Sequence, residues 1–110
     1  MSNTYASLHQ PGRIGTMEIR NRIIMAPMTR SRANDEGVQP PFAAEYYGQR
    51  SSAGLLITEA TNISPIAKGY VRTPGIYTEA QIQSWRPVTD PVHARAPRIL
   101  LHTFHTRRIR

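Results

Sequence analysis

The apolar and polar positions fall into short, differently spaced runs. In residues 13–22, RIGTMEIRNR, Ile14, Thr16 or Met17, and Ile19 are spaced around Gly15, a pattern that predicts a β-hairpin. Ile23 to Ala26 is continuously apolar, as in a strand covered on both faces, and Pro27 ends it because proline cannot donate to a ladder. Asn34 to Gly37 is a loop by composition. Pro40 and Pro41 suit the first turn of a helix, where the missing N–H is not needed. Ala43, Tyr46, Tyr47 and Arg50 follow at helical spacing, with Gly54 as the stop. Leu55 to Thr58 reads as a second buried strand, ending at Glu59-Ala60-Thr61.

Residues 62–77 read as a long loop carrying Pro65, Gly69, Pro74 and Gly75. Thr78 and Gln81 make a T-x-x-Q capping box that starts a second helix, with Ile82, Trp85 and Val88 on one face. Pro87 and Pro91 are expected to interrupt that helix, each at about 3 kcal/mol or more. Arg98 to His105 reads as a third strand. The order hairpin, β, α, β, α, β implies an α/β fold with parallel pairing.

In such folds ligands gather at the carboxyl ends of strands. The three ends here, Ala26-PMT, Thr58-EAT and His102-TFH, all turn from apolar to small or polar residues. Ala26 and Ala60 would let a flat ligand approach the backbone, and Thr29 and His102 offer hydrogen bonds.

Composition narrows the picture. At 110 residues there is room for one small domain with a modest core. The absence of cysteine excludes disulfides, thiolate metal sites and a cysteine nucleophile. No apolar run approaches the roughly 20 residues of a membrane span, so no membrane role is expected. The start, MSNTYASLHQPGR, lacks the pattern of a signal peptide, which makes a cytoplasmic protein the default. The net charge of +7 is uneven: residues 1–85 hold eight Lys or Arg against six acids, and residues 86–110 hold six Arg against one Asp. An alternative reading follows, in which the Arg-rich tail with Phe104 contacts nucleic acid or an acidic surface.

The segments NRIIMAPMTRSRA, AEYYGQRSSAGLLITEATNISPIAKGY, TPGIYTEAQIQSW and RILLHTFH together resemble the start of an Old Yellow Enzyme family protein, an FMN-dependent NADH:flavin oxidoreductase or ene-reductase. The resemblance runs from about residue 8 to the end and implies part of a (β/α)8 TIM barrel: the N-terminal hairpin, the first three strands and two helices, all within one FMN-binding domain over residues 1–110. It implies that Ala26, Pro27, Met28 and Thr29 pack on the isoalloxazine of FMN, with the Thr29 hydroxyl near the flavin C4 oxygen. Ala60 would stand beside the pyrimidine edge. His102 takes the place of a glutamine that reads that edge, and Phe104 that of a tryptophan on the substrate side. The implied reaction passes a hydride from NAD(P)H to flavin and on to an activated alkene, a small-molecule substrate, with a tyrosine supplying the proton. No catalytic residue is assigned within the chain, since the residues that hold the substrate and give the proton would lie beyond residue 110. The chain alone is therefore expected to be inactive, a truncated gene or partial reading frame whose open sheet edge invites aggregation. Pro97 and Arg107 depart from the family pattern.

Other residues have plainer readings. Tyr46 and Tyr47 read as helix packing, Glu59 as a structural carboxylate, and Arg30, Arg32 and the tail arginines as solvated charge. His93 and His105 are ordinary polar positions, because H-x-x-H at a strand end lacks a third metal ligand.

Overall fold

In the computed structural model, residues 6–68, 70–94 and 98–104 are described. A single 3-10 turn, Ala6–His9, leads into the hairpin β1 (Gly12–Ile14) and β2 (Met17–Ile19). The strands pair antiparallel with Ile14 opposite Met17, so Gly15 and Thr16 form a two-residue turn. Only Gly15 has a positive φ, +61°, which a side chain would resist.

The centre is a three-stranded parallel sheet of β3 (Ile24–Met25), β4 (Leu55–Ile57) and β6 (Arg98–Leu100), in the order β3-β4-β6. The register sets Met25, Leu56 and Ile99 in one row. That row faces the helices α1 (Phe42–Gly48) and α2 (Glu79–Ala94), which build the core around Ala43, Tyr47, Trp85 and Val88, with Ala53, Leu56 and Val92 beside them. The opposite row is Ile24, Leu55 and Arg98, continued by Ile57 and Leu100. Leu55 is buried, but Ile24 is 45% and Leu100 44% exposed. The expectation of a first strand covered on both faces is thus corrected. Alternation puts Ile24 on the face away from the helices, and β3 is an edge strand, so Ile24 stays half exposed while Leu55 beside it is buried.

Gly54 fixes the sheet's alignment. Its N–H donates to Ile23 O at 2.9 Å, and its carbonyl accepts from Arg98 N at 3.3 Å. A Cβ here would overlap the Asn21 carbonyl oxygen. Its role is therefore close approach, not the expected helix stop: α1 ends at Gly48 and is capped at Gln49.

The capping box forms as read: Gln81 N donates to Thr78 Oγ1 and Thr78 N to Gln81 Oε1, both at 3.1 Å. Gln81 Nε2 also donates to Glu36 O at 2.7 Å, tying the cap to the loop before α1. This draws Gln81 inside, so the buried stripe of α2 is Gln81, Trp85, Val88 and Val92, and Ile82 lies outside it, 39% exposed. Pro87 and Pro91 do not interrupt α2, which runs sixteen residues through both. They lie four apart on the exposed face. The carbonyls they leave unpaired, of Gln83 and Pro87, therefore meet water rather than the core.

Residues 62–77 are not a free loop. Two short strands, β5 (Thr61–Asn62) and β7 (Thr103–Phe104), pair parallel beyond the ends of β4 and β6. Asn62 N donates to Pro74 O at 2.8 Å, Ile76 N to Asn62 O at 3.0 Å, and Asn62 Nδ2 to Thr73 Oγ1 at 2.8 Å. The expected third strand is accordingly divided into β6 and β7, and its last residue, His105, lies outside the described residues, as do Pro97 and Arg107.

Candidate functional site

β3, β4 and β6 are adjacent and parallel, so their carboxyl ends open on one edge. The sequence-derived candidates fall there. Ala26, Pro27, Met28 and Thr29 follow β3 and are exposed; Ala60 follows β4 and is buried; His102 follows β6 and is exposed.

The last two exits are joined. His102 N donates to Thr58 Oγ1 at 3.1 Å, and Thr61 N donates to His102 O at 2.8 Å. Ala60 is thereby held beside the His102 backbone, while the imidazole makes no hydrogen bond among the described residues. Pro27, Met28 and Thr29 likewise make none there. The Thr29 hydroxyl and the His102 ring are thus uncommitted donors and acceptors on one edge.

Behind Ala60 lies a polar group set in the apolar interior. Glu59 is 4% exposed. Its Oε2 accepts from Gln39 Nε2 at 3.0 Å and from the Tyr47 hydroxyl at 3.1 Å. The same hydroxyl accepts from Glu59 N at 3.0 Å, and Glu59 O accepts from Thr58 Oγ1 at 3.0 Å and Thr61 Oγ1 at 2.9 Å. A buried carboxylate needs such donors to be tolerated at all. Burial, and next the Glu59 charge, push the Tyr47 phenol well above its ordinary value of 10.0, so Tyr47 stays a neutral donor. A cavity of about 70 Å³ adjoins this network, walled by Arg30, Arg32, Gln39, Tyr46, Tyr47 and Glu59.

Sequence reading took Glu59 as structural and the tyrosines as packing, and missed that Glu59 and Tyr47 form one network. The available signal was an acid directly following an apolar strand, which in a core demands a partner.

The larger concavity, about 860 Å³, lies between the hairpin and β6 and is lined by groups such as Arg13, Glu18, His93 and Leu100. Of the arginines in residues 86–110, Arg86 and Arg98 are described, and Arg98 donates from Nε to Glu18 O at 3.4 Å. Among the described residues no group of His, Cys, Asp and Glu could hold a metal ion, and no helix is long and apolar enough to cross a membrane.

Residues 7–108 match the NADH:flavin oxidoreductase / NADH oxidase family. A 12-oxophytodienoate reductase 1 from Oryza sativa subsp. japonica is 46% identical over 100 residues, which are 90% of this chain and 26% of that protein. Among solved structures, the old yellow enzyme homologue from Zymomonas mobilis superposes with a TM-score of 0.85 at 45% identity, over 90% of this chain and 28% of its own. Morphinone reductase in complex with tetrahydroNAD gives 0.83 at 52% identity, over 90% and 27%. The chain thus spans about a quarter of the length of the relatives it matches. The fold is that of the hairpin, first three strands and two helices of a (β/α)8 barrel.

Proposed function

We propose a function from one premise: this chain belongs to the NADH:flavin oxidoreductase / NADH oxidase family. Its role is to form an FMN-facing wall of a cytoplasmic oxidoreductase that passes hydride from NAD(P)H to an activated alkene. The observation that carries this reading is the single edge on which three parallel strands end, with small residues and two uncommitted polar side chains.

The residues present fit FMN by their chemistry. A flat ring system needs a surface without bulk on one side and polar groups at its edge. Ala26, Pro27 and Met28 offer exposed surface for its face, and Ala60 adds no bulk beside its pyrimidine edge. The Thr29 hydroxyl would donate to a carbonyl oxygen on that polar edge. The His102 imidazole would bring two ring nitrogens to an edge that carries both donors and acceptors. When bound, FMN supplies the two-electron carrier that amino-acid side chains lack. Everything else asked of these residues is binding, orientation and hydrogen bonding to the ring.

The test is a titration of the chain with FMN, read by flavin fluorescence and by the visible difference spectrum. Saturable quenching that weakens in Thr29→Ala and His102→Ala supports the wall. Flavin signals indistinguishable from free FMN up to the solubility limit of the chain would sink it.

A further inference from the structure

Two consecutive residues of α1, Tyr46 and Tyr47, reach the two different loops that meet at the strand exits. Consecutive helical positions diverge by about 100°, so a pair of neighbours can serve two directions.

Two guanidinium groups lie over the Tyr46 ring. Arg50 Cζ is 4.0 Å from its centroid and Arg30 Cζ 5.0 Å. Arg50 is anchored independently, donating from Nη1 to Tyr46 O at 2.7 Å. Arg30 immediately follows Thr29, in a segment where Pro27, Met28 and Thr29 have no hydrogen bond among the described residues. The cation–π contact with Tyr46 therefore links α1 to the loop after β3. Tyr47 reaches the other loop. Its hydroxyl closes a ring over Glu59, donating to the carboxylate and accepting from the backbone N–H, directly before Ala60.

We propose that Tyr46 and Tyr47 are positioning residues for the cofactor wall: Tyr46 sets the Thr29 loop through Arg30, and Tyr47 sets the Ala60 loop through Glu59. What these loops face rests on the FMN reading above; the tethers themselves do not.

The two hydroxyls make the test sharp. The Tyr47 hydroxyl has two partners, whereas the buried Tyr46 hydroxyl has none among the described residues. The same deletion at neighbouring residues should therefore act differently. In the 110-residue chain, amide exchange followed by NMR is measured alongside an FMN titration. Tyr47→Phe should speed exchange at Glu59 and Thr61 and weaken FMN about tenfold. Tyr46→Phe keeps the ring under Arg30 and should leave both readouts unchanged. Tyr46→Leu removes the ring face and should shift the Met28–Arg30 amides while weakening FMN about threefold, with Glu59 and Thr61 unaffected. Equal effects of Tyr46→Phe and Tyr47→Phe would overturn the proposal. So would a Tyr47→Phe chain that melts lower yet keeps wild-type exchange at Glu59 and wild-type FMN affinity. If the wild-type chain binds no FMN, the cofactor reading falls alone, and the amide pattern decides the positioning: two separate local responses uphold it, and a uniform one overturns it.

Discussion

The exits of β3 and β4 stand side by side and are built in opposite ways. After β4, residues 58–62 are buried and cross-linked: Glu59 to Gln39 and Tyr47, Thr61 to His102, Asn62 to Pro74 and Thr73. After β3, residues 26–29 are exposed, and α1 touches the next residue, Arg30, through the Tyr46 ring. One side of the site is fixed in advance by the fold. The other presents side chains to which the fold gives no hydrogen-bond partner among the described residues.

The strongest way to break that comparison is to destroy both exits together. Gly54→Ala places a methyl group against the Asn21 carbonyl and should cost about 4 kcal/mol or more. On a small domain this is most of the stability, so denaturant titration should show little folded chain. Replacing either proline of α2 should act on both exits equally, in the other direction. Pro87→Ala or Pro91→Ala restores a helical N–H on the solvent face and should add up to about 3 kcal/mol, with a higher melting temperature.

Tyr47→Phe should separate the two exits, lowering stability by about 1.5–3 kcal/mol through the lost charge-assisted bond while leaving residues 26–29 as they are. It should also change the alkaline limb. The folded chain holds the Tyr47 proton beyond the pH near 10 at which a solvated tyrosine loses it. The stability linked to this proton is full below about pH 10 and is lost as pH rises from there towards the folded value. Wild type should therefore lose more stability between pH 9 and pH 11 than Tyr47→Phe does, measured by denaturant midpoints. Equal slopes would contradict the buried phenol. The smallest effect belongs to Thr29→Ala, within about 0.5 kcal/mol of wild type because the residue is exposed and has no hydrogen bond among the described residues. A larger loss would show that the β3 exit is built into the fold after all.

Local chemistry was legible in the sequence where partners are close along the chain. The Gly15 turn and the Thr78–Gln81 box join residues within a few positions, and both form as read. The strand order and the edge at which the candidates cluster were also readable, from apolar runs ending at small residues. What sequence reading could not supply were pairings across the fold. Gln81 became interior because Glu36, forty-five residues away, takes its amide. Glu59 found Tyr47 twelve residues earlier and Gln39 twenty earlier, on a helix and a loop whose approach depends on the packing of α1 against α2. The prolines were misjudged for another reason. Propensity counts the lost N–H but not the direction in which the orphaned carbonyl points, and here that direction is water.

Gly54 carries a further meaning. Hydrogen-bonded to Ile23 on one side and to Arg98 on the other, it is the common datum from which three strands are measured. A slip of one residue at that point would raise one strand by about 3.3 Å against its neighbours and turn its side chains to the opposite face. Met25 would leave the helices, and Thr29 would stand at a different height from Ala60 and His102. The level at which a flat molecule can rest across the three strand ends is therefore set at the far end of the sheet, by a residue with no side chain.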